Sequence, residues 1–141
     1  SLRLTWAYEL EKWLPLLRPS DVHVIFSSED KLTMHESKQP KVTIISFKML
    51  EILLPEMEKC QWGVIIVDES HNIRSTKKAQ DSKQTQASVR LIKQTPKAIL
   101  LSGTPSLSRP FDIFAQVDAL CPGLLGKSKF QFAENYCEKK T

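Results

Sequence analysis

Glycine is scarce, with four in 141 residues. So small a supply excludes collagen-like and glycine-rich flexible chains. Cysteine is equally thin. Cys60, Cys121 and Cys137 are odd in number and widely spaced. That excludes a self-contained disulfide framework or a cysteine-based zinc motif. They read as small core residues of a reduced, intracellular protein. His23, His35 and His71 lie far from any cysteine and from one another, so no structural metal is expected. The apolar runs, Val64–Val67 and Ala98–Leu101, are short. Neither approaches the ~20 residues that cross a bilayer, so no membrane association is expected. No secretory apolar region follows the first residue. That residue is Ser rather than Met, and Leu2 and Leu4 open an apolar pattern at once, as in a piece of a longer chain. Charge is not one-sided either. Twenty Lys and Arg against sixteen Asp and Glu leave +4, which permits an anionic partner without demanding one. With 41% apolar and 26% charged residues, the composition is that of a globular domain with a core of its own.

Along the chain, helical periodicity alternates with short β-branched runs. Trp6, Leu10, Trp13, Leu14 and Leu17 form one apolar helical stripe, with Thr5 as its expected N-cap and Pro15 and Pro19 closing it. Its spacing predicts burial, so the two tryptophans read as core rather than as a base-stacking platform. Strands are expected at 22–26, 42–47, 64–67 and 98–101. Helices are expected at 48–59 (where Pro55 kinks the helix or starts a new turn), 87–94, around Phe111–Cys121 behind Pro110, and around Phe130–Cys137. Residues 27–41 and 70–86 read as polar connections. Strands apolar along their whole length belong to parallel sheets covered on both faces. Alternation with helices gives βαβ units. The fold class is therefore α/β, a mostly parallel sheet with helices on both faces, whose chemistry gathers beyond the carboxyl ends of the strands.

Two polar clusters fall at such ends. Asp68-Glu69-Ser70-His71 follows the third strand, and Ser102-Gly103-Thr104-Pro105 follows the fourth. An Asp at the mouth of a buried strand suits Mg²⁺, which takes one or two carboxylates together with water and phosphate. Glu69, one residue on, can orient or deprotonate a water. An isolated Asp-Glu pair would more simply cap a following helix, and the second cluster would be an ordinary turn. Their occurrence together at successive strand ends is what favours chemistry.

The pair resembles the first RecA-like lobe of a superfamily-two helicase of the Swi/Snf type. Asp68-Glu69-Ser70-His71 looks like motif II, the Walker B box, and Leu101–Pro105 like motif III. Val42–Phe47 is similar to the motif that precedes the Walker B strand. Ser1-Leu2 with Trp6, Glu9 and Trp13 is similar to the tail of motif Ia. Most members continue after motif III in a Leu-Gln-Asn type of sequence. Here Ser106-Leu107-Ser108-Arg109-Pro110 follows, then Phe114, Gln116, Leu120-Cys121-Pro122, Phe132 and Tyr136-Cys137, which resembles the annealing-helicase, fork-remodelling branch. Residues 1–141 would be a partial helicase ATP-binding domain, from the tail of motif Ia through motif III and the helices after it.

The resemblance implies ATP and Mg²⁺ as cofactors. Asp68 would hold Mg²⁺ and Glu69 would activate the attacking water. Asp68, Glu69, Ser102, Gly103 and Thr104 would face the nucleotide. His71, Ser102 and Thr104 would couple nucleotide state to DNA contact. Ser46, Lys48, Arg74 (where many members carry Lys), Lys77 and Lys78 would sit near DNA. The implied activity is an ATP-dependent DNA translocase or annealing helicase acting on duplex or forked DNA without regard to sequence, in fork remodelling or repair. A nuclear location and replication or chromatin partners go with it. Within 72–97, seven Lys or Arg (74, 77, 78, 83, 90, 93, 97) face one Asp, Asp81, a patch that reads either as DNA-facing or as a solvated loop. The family pattern is incomplete. Gly126-Lys127-Ser128 lacks the first Gly of Gly-x-x-x-x-Gly-Lys-Ser/Thr and follows a helix. The phosphate loop is expected upstream and the second lobe with its arginine fingers downstream. The isolated chain is then expected to be inactive, and the alternative is a truncated, non-catalytic lobe that only binds DNA or protein.

Overall fold

The computed structural model describes residues 2–30, 40–106 and 109–137. Residues 31–39 of the expected polar connection, Leu107-Ser108 and Lys139-Lys140 lie outside them. The chain divides into two compact units, Ser1–Met57 and Glu58–Thr141.

The first unit contains α1 (Leu2–Trp13), β1 (Val22–Val24), β2 (Val42–Ile44) and α2 (Phe47–Met57). β1 and β2 pair in parallel, Val22 opposite Val42 and Val24 opposite Ile44. The Ile25 N–H extends the ladder to Ile44 O at 2.9 Å. Val, Ile and Thr favour this pleated pairing because their branched side chains are stiff at χ1. α1 packs on both strands, and Arg3 fastens it by donating to Ile25 O at 2.6 Å. Ser46 starts α2, its Oγ accepting from Met49 N at 3.2 Å, and the helix buries Met49, Leu50, Leu53 and Met57. Pro55 sits inside α2 without ending it. Two expectations are corrected here. α1 begins at Leu2, so Thr5 lies within the helix instead of capping it. The tryptophan stripe is not core: α1 contains no buried residue, and Trp13 is 69% exposed. Helical spacing makes a face, but burial requires something packed against that face.

The second unit contains β3 (Ile65–Val67), α3 (Lys83–Gln94), β4 (Ala98–Leu100), α4 (Phe114–Leu120) and α5 (Lys129–Tyr136). β3 and β4 are parallel, Ile65 opposite Ala98 and Val67 opposite Leu100. A parallel pair needs a long crossover, which residues 68–97 supply through α3. α3 starts earlier than its apolar period suggests, because the Ser82 side chain accepts from Thr85 N and caps it. Leu91, Ile92, Phe114, Ala115, Ala119 and Phe132 are buried in this unit. α3 packs on α4, and the Phe114 and Phe132 rings meet at 5.8 Å between centroids. Among the described residues β4 pairs only with β3, leaving its other edge without a strand. At alternate positions along this pair, Val64, Ile66, Ile99 and Leu101 remain 40–49% exposed. The α/β class with parallel strands is borne out. Among the described residues no helix is long and apolar enough to cross a membrane.

Candidate functional site

Because β3 and β4 run in parallel and in register, both carboxyl ends finish side by side. Leu101 N donates to Val67 O at 2.8 Å and Ser70 N to Leu101 O at 2.9 Å, so the ladder continues into the two turns that follow. Those turns carry Asp68–His71 and Ser102–Pro105.

Glu69 is the only non-glycine residue with positive φ among the described residues, at φ 51° and ψ 45°. The left-handed region costs a residue with a Cβ about 1 kcal/mol and persists where the surroundings over-determine it. Here they do. Asp68 Oδ1 accepts the Glu69 N–H at 2.9 Å. The Glu69 carbonyl accepts from Asn72 N at 3.0 Å and from Asn72 Nδ2 at 2.9 Å. A short 3-10 turn, Ser70–Asn72, follows. This kink turns the Glu69 side chain outward, half exposed, instead of letting it continue the strand.

His71 joins the two turns. Its Nδ1 lies 3.2 Å from Glu69 Oε2 and 3.0 Å from Ser102 Oγ. Carrying a proton, Nδ1 donates toward the carboxylate; without one it accepts from the Ser102 hydroxyl. Ser102 Oγ in turn accepts from Thr104 N at 3.1 Å, which shapes the turn. Gly103 has open space where a Cβ would be, and Thr104 is exposed. Thus Asp68, Glu69, His71, Ser102, Gly103 and Thr104 share one end of one strand pair. Two adjacent carboxylates on an open face fit a Mg²⁺ ion that completes its shell with water and phosphate. No group of three His, Cys, Asp or Glu side chains capable of enclosing a metal occurs among the described residues.

The Gly126–Ser128 segment makes no phosphate cradle. Lys127 N donates to Gln131 Oε1 at 2.7 Å, and Ser128 caps α5 by accepting from Gln131 N. The Gly126 and Lys127 N–H groups that would face a phosphate are already bonded, to Gly123 O and Gln131 Oε1.

The basic segment separates into two sets. Arg90 pairs with Glu58, and Lys93 with Asp118 at 2.6 Å. Arg74, Lys77, Lys78 and Lys83 are exposed and form no ion pair among the described residues. Asp81 does not offset them, because Lys129 holds it at 2.7 Å and Thr76 N donates to it at 2.7 Å. Arg74, Lys77 and Lys78 therefore lie on the connection after the Asp68–His71 turn, and Lys83 opens α3. Ser46 and Lys48 belong to the first unit, where Ser46 caps α2 and Lys48 pairs with Glu51 at 3.1 Å.

One residue of the site entered the sequence analysis only as a mark of the branch, with no part in the site. Gln116 of α4 is 5% exposed. It accepts from Ser70 Oγ at 2.9 Å and donates to Pro105 O at 2.8 Å. The available signal was a polar amide on a helix otherwise buried through Phe114, Ala115 and Ala119.

The family model described as the SNF2-related domain matches residues 1–140. The chain is 34% identical over 141 residues to the DNA annealing helicase and endonuclease ZRANB3 of Homo sapiens, covering 97% of this chain and 12% of that protein. It is 35% identical over 140 residues to the SWI/SNF-related matrix-associated actin-dependent regulator of chromatin subfamily A-like protein 1 of Bos taurus, covering 99% of this chain and 14% of that protein. The Drosophila melanogaster protein of the latter name is 32% identical over 140 residues, covering 99% of this chain and 17% of its own length. The chain thus spans a small part of the relatives it matches. With the Asp68–His71 and Ser102–Pro105 turns side by side and the match running almost end to end, the chain belongs to the SNF2-related domain family.

Proposed function

We propose that residues 1–141 form part of the ATP-binding domain of an ATP-dependent DNA translocase of the annealing-helicase type, which couples Mg-ATP hydrolysis to movement on duplex or forked DNA in fork remodelling or repair. The observation that carries this reading is the contact of His71 with both Glu69 and Ser102, which joins the two strand-end turns. The names of the relatives support the direction of the proposal: a DNA annealing helicase and a SWI/SNF-related regulator of chromatin. Nuclear location and replication or chromatin partners follow from the same reading.

Asp68 would hold Mg²⁺, which when bound neutralises charge on the transferring phosphate. Glu69 takes the proton of the attacking water. Its carboxylate is open to solvent and held at the mouth of the strand by the left-handed turn. His71 Nδ1 steadies that carboxylate and links it to Ser102, so a change at the Ser102–Thr104 turn alters the placement of Glu69. Arg74, Lys77 and Lys78, with Lys83, supply sequence-blind phosphate contacts, and Ser46 and Lys48 add contacts from the first unit.

The test is Glu69→Gln in the natural full-length protein that carries this segment. The variant should bind nucleotide as before, while DNA-stimulated hydrolysis falls by about 100-fold or more, the scale of a lost general base. Hydrolysis at the parent rate would remove Glu69 from the chemistry and leave a lobe that only binds DNA or protein.

A further inference from the structure

An amide as buried as that of Gln116 is unfavourable unless both its ends are bonded, and both are. A carbonyl can only accept, so the contact with Pro105 O identifies the nitrogen and leaves the oxygen for the Ser70 hydroxyl. Ser70, 2% exposed, directly follows Glu69 and opens the 3-10 turn. Pro105 follows Ser102–Thr104. One uncharged side chain on a third element therefore reaches both strand-end turns. The segment leading into α4 adds a second tie, Ser75 N donating to Asp112 O at 3.3 Å.

We propose that Gln116 is a positioning residue that holds the turn bearing Glu69 in register with the turn bearing Ser102 and Thr104. The proposal rests on the hydrolytic reading of Asp68 and Glu69. His71 joins the same two turns from the more open side through a single ring nitrogen, Nδ1. Gln116 joins them from the buried side and does not titrate. If it is lost, His71 and Ser102 can still meet and Ser70 N still reaches Leu101 O, but the Ser70 side chain is no longer tied through an amide to Pro105 at the far side of the Ser102–Thr104 turn.

The experiment compares Gln116→Leu and Gln116→Glu with the parent in the full-length protein, reading kcat and KM of DNA-stimulated Mg-ATP hydrolysis across pH. Leu keeps bulk and bonds neither partner. A Glu carboxylate accepts from Ser70 but has no proton for Pro105 O, whereas a protonated Glu does, and burial raises its pKa. Near about pH 8 both variants should lose about 10-fold in kcat, with KM for ATP within about twofold. As pH falls toward about 6, the Glu variant should regain kcat relative to the parent while the Leu variant does not. Loss of packing alone would not produce that difference. Ser70→Ala should cause a smaller loss and add nothing to Gln116→Leu in the double variant, as expected of one shared network. Should the Leu variant fail to fold, the Glu profile and Ser70→Ala decide. Parent kcat in both Gln116 variants, parallel pH profiles for them, or additive losses with Ser70→Ala would overturn the proposal. Glu69→Gln is assayed alongside. If it retains hydrolysis, the hydrolytic reading fails; if it abolishes hydrolysis while the Gln116 variants are unchanged, only the positioning role fails.

Discussion

Replacing Lys77, Lys78 and Lys83 together with Ala should change how DNA affinity responds to salt. The structure narrows seven cations of the 72–97 segment to the group that can act. Arg90 and Lys93 already face Glu58 and Asp118. Lys97 precedes β4, at the end of that strand opposite the motif III turn. Arg74, Lys77, Lys78 and Lys83 remain exposed and without ion pairs among the described residues. Each phosphate neutralised contributes about 0.9 to the slope of log affinity against log salt, so three lysines account for about 2.7. Between about 50 and about 200 mM salt, that slope alone corresponds to roughly a 40-fold change in affinity. Fluorescence anisotropy of a labelled duplex with the full-length protein would measure it. The triple variant should bind more weakly at low salt and show a slope flatter by about 2.7, equally for unrelated sequences. Arg90→Ala with Lys93→Ala is the matched control and should leave the slope near that of the parent. An unchanged slope in the triple variant, or an equal change in the control, would return the loop to an ordinary solvated face.

Three further outcomes are expected. Lys129 is nearly buried while Asp81 keeps more solvent (9% against 18% side-chain exposure) and its bond from Thr76 N. Asp81→Ala, which strands the ammonium, should therefore cost about 3 kcal/mol, Lys129→Met about half that, and the double variant less than their sum; urea titration followed by tryptophan fluorescence checks the order. Burial pulls the Asp118 carboxyl upward, but the Lys93 ammonium and the Gly123 N–H outweigh it and hold it below the ordinary value of 3.8. Its stabilising contribution is present above that value and disappears as pH falls through the lower folded one. The stability gap between the parent and Asp118→Asn should accordingly be seen near about pH 6 and close in stronger acid, by the same titration repeated across pH. Finally, β4 offers an open edge beside the half-exposed Ile66, Ile99 and Leu101. Residues 1–141 alone should self-associate and Ile99→Lys should reduce this, while a clean monomer of the parent chain in sedimentation velocity at high concentration would refute it.

Much of this was legible in the sequence, for reasons that are local. Val22–Val24, Val42–Ile44, Ile65–Val67 and Ala98–Leu100 are strands where β-branched and aliphatic residues run together, because stiff branched side chains suit the pleat. The two polar clusters stood at strand ends by simple adjacency, so Asp68, Glu69, His71 and the Ser102–Thr104 turn could be named before any coordinate. Helix starts were less legible. Thr5 had the chemistry of a cap but lies inside α1, whereas Ser82 caps α3 upstream of the apolar period that marks that helix.

What remained was settled by contacts between residues far apart in the chain. Trp6 and Trp13 share a helical face whatever surrounds them, yet Trp13 is exposed because no described element covers it. The charge count of residues 72–97 treats seven cations alike. Only the folded chain brings Glu58 to Arg90 and Asp118 to Lys93, since Coulomb attraction depends on distance in space and not on position in sequence. Gln116 shows the same limit most sharply. Its amide becomes meaningful once α4 carries it between Ser70 and Pro105, 46 and 11 residues away. The sequence by itself determined which elements form and which residues could do chemistry. Tertiary packing decided which of them meet, because hydrogen bonds and ion pairs act over a few ångströms that only the folded chain can bring about.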